Sequence, residues 1–121
     1  VSRDPRVFLE DISTACRKIV RFAGGLERDE AFADEMRFDA ILHNFHVIGE
    51  AVKNLPAEVR EEHSEIPWRE IAGMRDFVAH AYFALDLDIL WNAIDQEVPT
   101  LLERVTAMLV GDDPRPPESR R

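Results

Sequence analysis

The stretch from Asp34 to Leu55, DEMRFDAILHNFHVIGEAVKNL, decides the fold. Its apolar residues Phe38, Ile41, Phe45, Ile48, Val52 and Leu55 recur at steps of three and four, which at about 3.6 residues per turn places them on one buried stripe. The spacing predicts a long helix from about Asp34 to Asn54, with Pro56 marking its end. Nowhere does the chain sustain strand alternation with β-branched enrichment.

The same pattern extends in both directions. Upstream, Asp4 is a good N-cap and Pro5 suits the first helical position, where its missing N–H costs nothing. Phe8, Ile12, Ala15, Ile19 and Phe22 then form a stripe that Gly24 and Gly25 stop by supplying a left-handed C-terminus. A short acidic stretch containing Phe32 leads into the long helix. Downstream, Pro56 opens a short helix through His63, and Pro67 opens another carrying Trp68, Ile71 and Met74. Asp86 caps a last helix with Leu87, Leu90, Ile94, Val98, Leu101, Val105 and Met108 on one face. That spacing runs straight through Pro99, whose ring would clash with the carbonyl of Asp95, so the last helix is expected to kink. Three long and one or two shorter helices predict an all-α, antiparallel bundle of four to five helices over residues 1–110. The tail, residues 111–121, carries Pro114, Pro116 and Pro117 among charges and is expected to be disordered.

The 121 residues suit one domain, and two large domains are excluded. A single cysteine, Cys16, excludes a disulfide framework and fits a reducing compartment. No apolar run approaches the roughly 20 residues of a membrane span, and Val1 to Glu10 lacks a signal-peptide pattern. The expected setting is therefore the cytoplasm, away from membranes. A net charge of −9 opposes indiscriminate binding to nucleic acid, itself a polyanion, so any such contact must be local. The cations are mostly arginine, with Lys18 and Lys53 the only lysines, which favours planar, bidentate phosphate contacts.

Chemistry concentrates in Met74 to Leu85, MRDFVAHAYFAL. Arg75 can hold a phosphate or a developing oxyanion, His80 can move protons near neutral pH, and Tyr82 offers a modifiable hydroxyl. With Asp76 they meet the needs of phosphodiester cleavage in RNA, whose own 2′-hydroxyl is the nucleophile. On one regular helix Arg75 and Tyr82 share a face, whereas His80 points about 140° from Arg75. Either the helix ends near Ala79, or the site is assembled across a two-fold dimer. The bland alternative pairs Arg75 and Asp76 with neighbouring helices and leaves the Tyr82 ring on the core. A second group, Asp39, His43, His46 and Glu50, lies along the long helix at steps of four, three and four. It could contribute metal ligands, but one helix rarely supplies a complete site, and a polar flank with i,i+4 pairs is the simpler reading. Arg17 and Arg21 read as a solvated face, while Cys16, Trp68 and Trp91 read as packing residues. Gly-rich phosphate loops, nucleophile elbows and Cys-x-x-Cys pairs do not occur.

Arg75, four residues, His80, one residue, Tyr82 resembles the R-x-x-x-x-H-x-Y signature of HepT-like proteins in the HEPN superfamily. Asn44, Ile48 to Lys53, Ile66 to Met74, Tyr82-Phe83 and Asp86-Leu87 are similar to that family's pattern as well, and the likeness covers roughly Phe8 to Leu109. The resemblance implies a HEPN bundle, usually a homodimer, that is a metal-independent endoribonuclease needing no cofactor. It implies the toxin of a type II/VII-like toxin–antitoxin pair whose partner is a minimal nucleotidyltransferase. Carried over by residue, His80 would be the acid/base group and Arg75 would hold the scissile phosphate of the RNA substrate. Asp76, where family members often have asparagine or another polar residue, would help orient the site. Tyr82 would receive AMP from the antitoxin. The alternative is a non-catalytic partner and modification substrate of a nucleotidyltransferase, and a third reading is a metal-dependent enzyme using the histidine stripe.

Overall fold

A computed structural model describes residues 4–76 and 86–111. Helix α1 spans Pro5–Ala23, and the Asp4 carboxylate accepts from the Arg6 N–H at 2.9 Å, as the N-terminal Asp-Pro pair predicts. Gly25 supplies the left-handed turn after it, with φ 76°. Helix α2 (Arg28–Ala33) is an element that the sequence pattern did not reveal. Its start is a reciprocal capping box between Glu27 and Glu30, and glutamate is not among the favoured N-caps that mark a helix start in a sequence. Phe32 anchors it, meeting Phe38 and Trp91 edge to face with centroids 5.2 and 5.7 Å away.

Helix α3 (Glu35–Asn54) is the long central helix expected, capped by the Asp34 side chain accepting from the Arg37 N–H. Helix α4 (Ala57–Glu62) follows Pro56, and α5 (Trp68–Ala72) follows Pro67 before tightening into a 3₁₀ turn, Gly73–Arg75. The Trp68 indole N–H donates to the carbonyls of Arg60 and His63, which ties α5 to the end of α4. Asp86 caps α6 (Leu87–Asn92) by accepting from the N–H groups of Asp88 and Ile89. Helix α6 runs through a π-helical turn (Ala93–Glu97) into α7 (Val98–Val110), which Gly111 ends at φ 71°. The helical path thus continues through Pro99, and the accommodation is a wider turn: the Val98 N–H bonds back to the Ala93 carbonyl. Widening the turn moves the carbonyl four residues back away from the proline ring.

The core lies where α1 packs on α3 and α7. Ile12, Cys16 and Ile19 of α1 meet Ile41, Phe45, Ile48 and Val52 of α3 and Leu90, Val98 and Val105 of the last two helices, all fully buried. Each large side chain there contributes about 1.5–3 kcal/mol by leaving water. Burial pushes the Cys16 thiol up to about 12, against a small opposing pull from Arg17, so it is an inert packing residue. Arg17 and Arg21 are solvent-exposed, and Trp68 is buried while Trp91 is half-buried. The described residues are all-α, and none of their helices is long and apolar enough to cross a membrane. The tail beyond Gly111 lies outside the described residues.

Candidate active site

Arg75 stands at the end of the 3₁₀ turn that follows α5, not within a regular α-helix. The turn is seated on α3 at Gly49. A Cβ at position 49 would lie 2.7 Å from the Arg75 nitrogen, 2.8 Å from the Arg75 Cβ and 2.9 Å from the Ala72 carbonyl oxygen. Gly49 is therefore the contact that lets two backbones meet, and Met74, the buried residue just before Arg75, fixes the turn from the core side.

The next residue on α3 completes the arrangement. Arg75 Nη1 donates to Glu50 Oε1 at 3.0 Å. The hydrogen bond from Arg75 holds the Glu50 carboxyl below the usual carboxylate range, and the charges of Arg75, His46 and Lys53 add to the effect. Asp76 approaches a different nitrogen of the same guanidinium, its Oδ1 3.9 Å from Arg75 Nε. The Arg75 side chain is half-exposed. A guanidinium carries five N–H donors in a planar fork. With one given to Glu50, the rest of the fork can meet an oxyanion.

Of the residues singled out for chemistry, the structure thus brings Arg75 and Asp76 together, and His80 and Tyr82 lie outside the described residues. The bundle's second polar group resolves differently from a ligand set. His43 and His46 are exposed on α3, and Glu50 turns to Arg75. Among the described residues no three His, Cys, Asp or Glu side chains gather to hold a metal ion. Glu50 as the partner of Arg75 was missed by sequence reasoning. The available signal was Gly49 itself, because an isolated glycine within a helical pattern often marks a close packing contact.

Residues 12–108 match the family described as Ribonuclease HepT-like. A protein of Caldanaerobacter subterraneus subsp. tengcongensis named "Putative RNase TTE0752" is 40% identical over 107 residues, covering 88% of this chain and 96% of the relative. "Probable ribonuclease HepT" of Thermococcus cleftensis is 37% identical over 101 residues, covering 84% of this chain and 92% of that one. "Putative RNase MJ1216" of Methanocaldococcus jannaschii is 34% identical over 114 residues, with 92% and 94% covered. No solved structure matches. With the likeness running across the whole bundle, including the α3 segment and the turn that carries Arg75, the chain belongs to the HepT-like ribonuclease family.

Proposed function

We propose that this chain is a metal-independent endoribonuclease and the toxin of a type II/VII-like toxin–antitoxin pair, with a nucleotidyltransferase as its antitoxin. The observation that carries the reading is the Arg75 guanidinium, fixed by Glu50 at 3.0 Å on a turn seated against Gly49. A cation stabilises a transition state best when it is in place before charge develops, since little reorganisation is then needed. Arg75 holds the scissile phosphate and meets the charge that builds on its equatorial oxygens. Asp76, whose carboxylate lies 3.9 Å from Arg75 Nε, helps keep it in orientation.

His80 serves as the acid/base group. The 2′-hydroxyl gives its proton to His80, the 2′-oxygen bonds to phosphorus, and the bond from phosphorus to the 5′-oxygen breaks. The leaving oxygen takes up a proton, which yields a 2′,3′-cyclic phosphate and a 5′-hydroxyl. In a homodimer each chain contributes its own set, so one His80 can accept a proton while the other supplies one. RNA brings its own nucleophile, so the reaction needs no metal-activated water. Transfer of AMP to Tyr82 silences the site by blocking the groove and placing a phosphate charge beside Arg75. The acting unit is the helical domain of residues 1–110, in the cytoplasm, with residues 111–121 as a tail.

The test is cleavage of a mixed RNA pool in EDTA by purified protein whose intact mass shows no adduct on Tyr82. Cleavage should survive chelation and disappear in His80→Ala. An inactive, unmodified wild type would overturn the proposal and favour a non-catalytic partner of the nucleotidyltransferase.

A further inference from the structure

Glu50 does not stand alone on the outer face of α3. His46 lies four residues before it and Lys53 three residues after it, so the three side chains line up along one face over about 10 Å of helix. His46 and Lys53 are both exposed, and both lie near enough to Glu50 to bias its ionisation. Glu50 itself is turned to Arg75, and its charge is answered there. Among the described residues Lys53 forms no salt bridge. The net charge is −9, so an exposed ammonium without a salt bridge among the described residues, one helical turn from the Arg75 partner, is a local exception to the acidic balance. An anionic strand held at Arg75 and running along α3 would meet it.

We infer that the outer face of α3 continues the RNA site beyond the family's signature residues, with Lys53 and His46 receiving the phosphates on either side of the one held by Arg75. This rests on the ribonuclease reading above. Lys53 supplies a point charge for a backbone phosphate, and the exposed His46 imidazole supplies an N–H donor whichever form it is in. Contacts of this kind bind the backbone without reading bases, so they act on affinity and register and leave the chemical step to the residues at the scissile phosphate. Glu50, between them, keeps Arg75 from being drawn out of place by the flanking phosphates.

The experiment compares Lys53→Gln, Lys53→Arg and His46→Gln with Lys18→Gln, the same change of charge at an exposed lysine on α1. Binding of a labelled, mixed-sequence single-stranded RNA is measured across a salt series in the His80→Ala background, and steady-state cleavage in the active background. Lys53→Gln should weaken binding by about fivefold to tenfold and lower the salt slope by about 0.7, the value for one phosphate contact on a single strand. KM should rise with kcat changed less than about twofold, Lys53→Arg should restore most of the loss, and Lys18→Gln should match the parent. His46→Gln should show a smaller rise in KM. Equal effects of Lys18→Gln and Lys53→Gln would assign the loss to net charge and overturn the inference. So would an unchanged Lys53→Gln beside a wild type that cleaves. A wild type that neither cleaves nor binds the RNA would instead overturn the ribonuclease reading, and this inference with it.

Discussion

The inner and outer faces of α3 are held by different forces. On the inner face Ile41, Phe45, Ile48 and Val52 are fully buried against α1 and the last helices, and their contribution comes from removing apolar surface from water and filling space. On the outer face Glu50 meets Arg75 in a half-exposed ion pair, beside exposed histidines and a lysine. Exposed pairs of this sort add little to stability. Gly49 lies between the two faces, where the Arg75 turn touches the helix backbone. One helix therefore serves as a wall of the core and as the platform of the candidate site, and substitutions on its two sides should separate stability from activity.

The largest expected effect belongs to the inner face. Phe45→Ala removes a fully buried ring and should cost about 3–5 kcal/mol, read as a lower urea midpoint, whereas an effect under about 1 kcal/mol would mean that the core does not depend on this face. Gly49→Ala comes next and should strike both properties. Its Cβ would sit within 2.9 Å of Arg75 and Ala72 backbone atoms, so the turn must shift, at a cost of about 1–3 kcal/mol and with loss of RNA cleavage. Gly73→Ala is the matched control: among the described residues nothing lies within 4 Å of a Cβ there, and φ is −68°, so both stability and cleavage should be kept. Equal behaviour of the two alanine variants would break the claim that Gly49 seats the site.

The smallest stability change is expected at Glu50→Gln, although its cleavage rate should fall because Arg75 loses its anchoring charge. Its mark on stability is a pH dependence. The Glu50 carboxyl lies below its ordinary value in the folded protein because of the Arg75 hydrogen bond. Its stabilising contribution is thus complete above the unfolded carboxylate range, near pH 4.3, and lost as pH falls through the folded value. Wild type and Glu50→Gln should therefore converge in stability on acidification below about pH 4, followed by thermal unfolding. A difference that stays constant across that range would detach Glu50 from Arg75.

Much of the scaffold was legible because its signals are local. Asp4 with Pro5, the apolar stripe of α3, Asp86 and the unbroken spacing through Pro99 each depend on neighbours a few residues away. Helix α2 was not legible, since six residues opened by a glutamate leave neither a stripe nor a usual cap, and what holds Phe32 is Trp91 in a distant helix. The site divides in the same way. Arg75 and Asp76 are adjacent in sequence, and their potential could be named from residue types alone. Glu50 is 25 residues from Arg75, and its pairing depends on how α5 and its 3₁₀ turn settle on α3. Reading Asp39, His43, His46 and Glu50 as one stripe captured their common face but not the partner that crosses to it.

Arg75 is where these lines meet, so its removal tests the account most directly. Cleavage of a mixed RNA pool in EDTA should be compared between wild type and Arg75→Ala, with circular dichroism and urea unfolding confirming that the fold is kept. The account predicts a loss of about a hundredfold or more in kcat, as expected when a fixed electrostatic stabiliser is removed from a transition state. A folded Arg75→Ala protein that cleaves RNA at the wild-type rate would contradict it.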